Sequence, residues 1–298
     1  MNPLAGKRVL ITGASGFLGS VLSRRLHSAG AEIFGVSRIR RTSPDFINWS
    51  VDDLSAPAGV RNLFKANRPE IVFHVAGMAT GATALDLVTP ALESLLVSTV
   101  NVLTAAAECG SPRVVLVASL EEPQEAEGVP ASPYAAAKSA ASAYGRMFHT
   151  LYQLPVVNVR PYMTYGPGQP AGKIVPHVIT SLLKGNAPRL ASGRRPVDWV
   201  YVDDVIEGMA MAATQPGIDG QTLDLGSGAL VTIREAVETI VRIMKPGVEP
   251  VFGAVPDRPF EITRVADIAR TKQLLGWGPA TPLEVGLART IEWHRSNL

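Results

Sequence analysis

The 298-residue chain has a single cysteine, Cys109, so no disulfide can close within it. That suits a reducing compartment, and Cys109 is expected as a small buried helix residue. Charged residues make up only 18% and aromatics 6%, against 46% hydrophobic, which leaves ample material for a core and excludes a disordered polar chain. The net charge of +2 excludes a surface-wide polyanion site, so no nucleic-acid partner is expected and any anion site is local. No apolar stretch is expected to reach the roughly 20 residues that span a bilayer, and no charged-then-apolar leader precedes Lys7. The expectation is a soluble, cytoplasmic protein with no membrane partner. No His, Cys or carboxylate pair has metal-ligand spacing, so no metal is expected. Internal repeats and low-complexity tracts are also missing.

What is present is alternation. Short runs rich in β-branched residues, Val9–Thr12, Glu32–Ser37, Ile71–Ala76, Val114–Ser119 and Val156–Arg160, are separated by longer helical patterns. Val88–Cys109 and Pro133–Tyr152 are the clearest of these helices. Strands alternating with helices imply an α/β fold with a doubly wound parallel sheet. After Arg160 the texture changes, with Pro161, Gly166, Pro167, Gly168, Pro170 and Gly172 close together in a functional loop. The expected organisation is a dinucleotide-binding domain over residues 1–160, with segments at about 198–228 returning to it, and a smaller, mainly substrate-binding lobe over 161–298. Val200–Val205 and Thr222–Leu225 are the expected returning strands.

The first run leads into Thr12-Gly13-Ala14-Ser15-Gly16-Phe17-Leu18-Gly19, followed by a helical pattern. Gly13 allows a tight turn, Gly16 close approach to a pyrophosphate, and Gly19 close helix–sheet packing. The following helix offers free N–H groups and a partial positive charge to phosphates. A strand–glycine turn–helix in this position is a Rossmann dinucleotide-binding pattern. The second run ends Ser37-Arg38, with Arg40 and Arg41 behind it and no carboxylate for a ribose 2′-hydroxyl. A guanidinium suits a 2′-phosphate, so NADP(H) is the expected cofactor, with NAD possible; the alternative is a solvated basic loop. Asp53-Leu54 follows the next strand pattern, in reach of an adenine.

Tyr134 and Lys138 lie on one face of a helix that starts at Ser132-Pro133. A neighbouring ammonium is expected to lower the phenol below its ordinary pKa of about 10, tuning Tyr134 for proton exchange near neutrality. Lys138 is also placed to hold the nicotinamide ribose. Ser119, at a strand end, is the expected partner of the same substrate oxygen.

Together these residues resemble the extended short-chain dehydrogenase/reductase family, the NAD(P)-dependent epimerases, dehydratases and reductases of sugar nucleotides. The resemblance covers nearly the whole chain. It includes the glycine loop, Asp53-Leu54, His74-Val75-Ala76, Ser119 with Tyr134 and Lys138, Arg160-Pro161, Asp198 to Asp204, Asp257-Arg258-Pro259, Ala266-Asp267 and Leu275-Gly276-Trp277. It implies that Val75, Ala76, Gly77 and Pro161 join the cofactor site. It also implies that Met163, Lys173, Arg195 and Arg258 line the substrate's side, with Arg258 on a pyrophosphate. A homodimer through the helices at Val88–Cys109 and Pro133–Tyr152 is implied in the same way.

Three positions depart from the family's pattern. Met163 replaces an asparagine, Val197 replaces an arginine that Arg194 or Arg195 could supply, and Leu95 replaces an asparagine. Ala118-Ser119-Leu120-Glu121-Glu122 resembles the Gly-Ser-Ser-Glu-Glu stretch of NADPH-dependent reductases of 4-keto-6-deoxy sugar nucleotides. Glu121 also matches the proton-abstracting glutamate of 4,6-dehydratases; the alternative is an exposed acidic loop with Glu125 and Glu127. The expected activity is reduction of a nucleotide-linked 4-keto hexose, with Tyr134 as proton donor. The alternative is a sugar-nucleotide epimerase or 4,6-dehydratase with a tightly held cofactor. A catalytically dead NADP-holding regulator is disfavoured because Tyr134 and Lys138 are both present.

Overall fold

The structure is a computed structural model describing residues 2–123, 128–260 and 262–298. Its first compact unit comprises Met1–Arg160, Ile206–Leu223 and Gln273–Gly276; the second comprises Pro161–Val205, Asp224–Lys272 and Trp277–Leu298.

In the first unit, β1 (Arg8–Thr12), α1 (Phe17–Ser28), β2 (Glu32–Ser37), β3 (Ile47–Val51), α2 (Pro57–Asn67) and β4 (Ile71–His74) come first. They are followed by α3 (Val88–Ala91), α4 (Ser98–Glu108), β5 (Arg113–Val117), α5 (Pro133–Tyr152) and β6 (Val156–Pro161). The sheet order is β3-β2-β1-β4-β5-β6, closed by β9 (Thr222–Leu225). Every pairing from β3 through β6 is parallel. The order reverses between β1 and β4, and such a switch point opens a crevice beyond the strand ends. β4 is fully buried and β5 nearly so, which explains their continuous apolar runs. Leu10, Val72, Val114 and Leu116 pack with Val60, Phe64, Val102 and Leu103 into one core.

Two expectations need correction here. The helix expected at Val88–Cys109 is interrupted: a π-helical turn at Leu92–Val97 separates α3 from α4, and Cys109 is a half-buried C-cap. Among the described residues, the whole helical run Leu85–Glu108 is also long and apolar enough to cross a membrane by length and composition. The expectation that no apolar stretch is long enough to span a bilayer therefore fails for this run, in which alanines, leucines and valines outnumber the charged residues.

The second unit holds β7 (Met163–Tyr165), α6 (Ile174–Leu183), β8 (Pro196–Tyr201), the start of α7 (Val202–Ala212), β10 (Leu230–Thr232), α8 (Ile233–Met244), α9 (Ile268–Leu275) and α10 (Leu283–Asn297). Its sheet has the order β10-β8-β7. The strand expected at Val200–Val205 is thus displaced: it runs over Pro196–Tyr201 in this small sheet, and Val202 onward is helix. Asp203 and Asp204 fall in that helix's first turn, where the dipole favours carboxylates. Thr222–Leu225 does join the seven-stranded sheet. The buried Asp198 accepts bonds from the Ser227 and Gly228 amides and from Ala266 N, tying three segments of the unit together.

Candidate active site

β1 enters a turn at Gly13, whose φ of +71° is a left-handed conformation that favours glycine. A Cβ there would lie 2.8 Å from Ala76 N, and one on Gly19 would run into the Gly13 carbonyl oxygen. The missing methyls let strand, turn and helix press together. α1 begins at Gly16 with no side-chain cap, so its first-turn N–H groups and positive dipole end are available to a phosphate. Ser15 and Gly16 are exposed at this end, and Phe17 and Leu18 half-buried behind them. The cradle fits a dinucleotide pyrophosphate. Gly19→Ala is expected to cost about 1–3 kcal/mol through overpacking and to weaken dinucleotide binding. Calorimetry and titration check this; an unchanged midpoint and affinity would mean the turn tolerates a methyl.

The turn is fixed from below by a buried chain of hydrogen bonds. Val75 and Ala76 amides donate to Thr12 Oγ1 at 3.2 and 3.1 Å. The Thr12 hydroxyl is then left to donate to His74 Nδ1, 2.8 Å away. That assigns the ring proton to Nε2, which donates to Thr99 Oγ1 at 3.0 Å, and Thr99 donates to the Leu95 carbonyl. Burial first, and the Lys138 ammonium second, push His74 down to about 3, so the ring is neutral. Gly77 follows, exposed and at φ +140°, where a Cβ would run into Leu95. His74 therefore links the turn to the π-helical segment.

At the tip of β2, Ser37 Oγ accepts from Arg41 Nε at 3.1 Å, and the Arg41 guanidinium carbon lies 5.9 Å from the Trp49 ring centroid. Arg38 is exposed. Bonds from the Ser55 amide and hydroxyl hold the Asp53 carboxyl below the usual range, with Arg38 adding to them. Leu54 accepts Asn101 Nδ2 through its carbonyl at 2.9 Å. The ends of β2 and β3 thus carry the guanidinium groups of Arg38, Arg40 and Arg41 and the carboxylates of Asp52 and Asp53.

The residues expected to transfer the proton lie beyond β5. Ser132 Oγ caps α5 by accepting from Ala135 N at 3.1 Å, and Pro133 occupies the first turn. This cap sets Tyr134 and Lys138 on one face. Ser119 is buried, and its hydroxyl is hydrogen-bonded to the Tyr134 phenol. Lys138 is buried and Nζ donates to the Val117 carbonyl at 2.6 Å. The expected electrostatics are reversed, however. Burial pushes the Tyr134 phenol up to about 12, against the Ser119 hydrogen bond and with Glu121 and Glu122 adding to the rise. Lys138 is itself pushed down to about 8 by burial, against the pull of Glu122. The cause is apolar packing: Tyr134 and Met78 lie against Ala91, Leu95, Leu96 and Ala137. In this state the phenol carries its proton and can donate it to a carbonyl oxygen.

Glu121 is half-buried, with its amide donating to Ser119 Oγ at 3.1 Å. The fully buried carboxylate is the next one, Glu122, which sequence reasoning missed. Its signal was the Ser119-x-x-Glu122 spacing of a capping box, in which the second side chain reaches back to the first amide. Glu125 and Glu127 lie outside the described residues.

Pro161 is buried at the end of β6. The residues expected on the substrate's side all belong to the second unit. Met163 is half-buried and pairs with Trp199 across β7 and β8; Lys173 is the exposed N-cap of α6. Arg195 donates to the Ile262 carbonyl at 3.0 Å, and Arg258 is exposed.

A glycine cradle at a switch point, with a Ser–Tyr–Lys cluster beyond the end of β5 in the same unit, defines the class as a dinucleotide-binding α/β enzyme. The chain belongs to the NAD dependent epimerase/dehydratase family, whose model matches residues 9–226. It is an extended short-chain dehydrogenase/reductase. A UDP-glucose 4-epimerase of Mycolicibacterium smegmatis is 29% identical over 325 aligned residues, covering 97% of this chain and 99% of that protein. A dTDP-glucose 4,6-dehydratase of Haemophilus influenzae is 25% identical, with 97% and 98% covered. The structure of a Thermus thermophilus UDP-glucose 4-epimerase in complex with NAD superposes with a TM-score of 0.86 at 26% identity, over 98% of this chain and all of that one.

Proposed function

We propose that this enzyme oxidises a nucleotide-linked hexose at one ring carbon and returns the hydride, in the manner of an epimerase or 4,6-dehydratase. The observation that carries the reading is the Ser119–Tyr134 hydrogen bond, with Lys138 four residues further along the same helical face. Full-length similarity to a 4-epimerase and a 4,6-dehydratase supports it. Ser119 holds the sugar oxygen, and Tyr134 exchanges a proton with that oxygen. Lys138 carries the charge that allows the exchange. When bound, the nicotinamide cofactor supplies the hydride acceptance and return. Glu121 is positioned two residues beyond Ser119 to take a proton from the neighbouring carbon in the dehydratase variant of the reaction. Met163, Lys173, Arg195 and Arg258 are our candidates for contacts to the sugar and diphosphate.

A second reading is net reduction of a nucleotide-linked 4-keto hexose. Two observations favour it: the phenol of Tyr134 stands protonated, and the β2 tip presents Ser37, Arg38 and Arg41 without an acceptor carboxylate at its end. The same tip underlies our assignment of NADP as the preferred cofactor. The active species is a homodimer joined through α5 and the α3–α4 run, which expose Val88, Leu92, Tyr144, Leu151 and Tyr152.

Incubation with nucleotide-linked hexoses and with their 4-keto forms, followed at 340 nm with chromatography of the products, tests the reading. Conversion with no net absorbance change supports hydride return. Stoichiometric loss of NADPH selects the reductase. No conversion of any nucleotide sugar overturns both.

A further inference from the structure

The geometry points to Glu122 as a positioning residue for this reaction: its buried carboxylate ties Ser119 to α5 at Ser142, one helical turn beyond Lys138. The inference rests on the proton-transfer role given above to Ser119, Tyr134 and Lys138.

Glu122 is 4% exposed, a rare position for a carboxylate without compensation. Its Oε1 accepts from the Ser119 amide at 2.7 Å and from Ser142 Oγ at 3.0 Å. Ser142 lies one turn beyond Lys138, so Tyr134, Lys138 and Ser142 form a single stripe along α5 at intervals of four. Glu122 bridges the end of that stripe to the end of β5. The Ser119 amide cannot move without breaking a charge-assisted bond, so the hydroxyl on the same residue stays facing Tyr134. Glu122 N also donates to the Ser119 carbonyl at 3.2 Å, closing the turn from the other side.

The second role is electrostatic. The charged or titratable groups acting on this pair come from every neighbouring element. His74 on β4 is neutral, Glu121 and Glu122 follow β5, Arg160 stands on β6, and Tyr134 shares α5. Burial works against the charge on both Lys138 and Glu122; Glu122 draws Lys138 back toward its ionised form, whereas Glu122 is drawn back by Arg160 first, then by the Ser119 and Ser142 hydrogen bonds, and least by Lys138. Glu122 is the carboxylate that supports the Lys138 ammonium.

Glu122→Gln separates the two roles. The amide oxygen can still accept from Ser119 N and Ser142 Oγ, but the charge is gone. The expected result is a basic limb of the kcat–pH profile displaced about one unit toward acid. That corresponds to on the order of tenfold lower kcat above pH 8, with KM for the dinucleotide unchanged. An unshifted profile overturns the electrostatic role. A cofactor-free measurement keeps the test independent of the substrate assignment. In denaturant titrations between pH 6 and 10, the stability rise linked to Lys138 should begin at lower pH in E122Q than in the wild-type protein. An identical onset overturns the inference even if the substrate is something else, whereas absent turnover with a shifted onset overturns only the functional reading. Should E122Q not fold, the same coupling is read from the other side by 13C NMR of glutamate carboxyls. Glu122 should titrate at higher pH in Lys138→Met than in the wild-type protein, and an unchanged titration overturns the inference.

Discussion

Tyr134→Phe is expected to lower kcat by about 10²–10⁴-fold, the span of a lost general acid–base group, while dinucleotide affinity stays within about twofold. The phenyl ring fills the same apolar space against Leu95 and Ala137, so the thermal midpoint should hold or rise. The phenol hydroxyl is desolvated and hydrogen-bonded to the Ser119 hydroxyl, so removing it strands one neutral donor. Stopped-time turnover assays and fluorescence titration with the cofactor check both halves. Unaltered turnover would remove Tyr134 from the chemistry and, with it, the functional reading.

Lys138→Met should abolish turnover and yet stabilise the cofactor-free protein near neutral pH. In the fold this ammonium titrates at about 8 instead of 10.5, a difference equivalent to about 3 kcal/mol. Above about 10.5 the amine is neutral in both folded and unfolded chains and imposes nothing. As pH falls, the unfolded chain binds the proton first, so stability is lost down to about pH 8 and the full penalty persists below. Methionine has no such penalty, at the cost of about 1 kcal/mol for the lost bond to the Val117 carbonyl. The expected net gain is about 2 kcal/mol at pH 7, fading as pH rises toward 10.5. Chemical denaturation at several pH values reads it. A variant less stable at pH 7, or a gain independent of pH, would mean that the ammonium is well accommodated.

Local features were the ones readable from the chain itself. Gly13 and Gly19 declare a turn because a methyl is excluded by adjacent backbone, and Tyr134–Lys138 declares a shared face by its spacing alone. The charge states were not readable, because they depend on what covers the side chains. Leu95 and Leu96 reach Tyr134 from a π-helical turn, an irregularity that apolar periodicity does not announce. Glu122 was overlooked beside Glu121 because only the turn after β5 decides which of two adjacent carboxylates points inward. The strand shifted from Val200–Val205 to Pro196–Tyr201 shows a competition between two local preferences: Val-Tyr-Val suits a pleat, but two aspartates in succession suit the start of a helix.

The imidazole of His74 is clamped between two threonine hydroxyls with no route to solvent. Histidine ordinarily makes a protein sensitive to acidity around neutrality, but this one is silent there, and the nucleotide cradle it braces keeps one shape across the physiological range. The brace beneath the nucleotide cradle is thereby insulated from hydrogen-ion concentration, whereas Lys138, behind the tyrosine, changes charge at about 8.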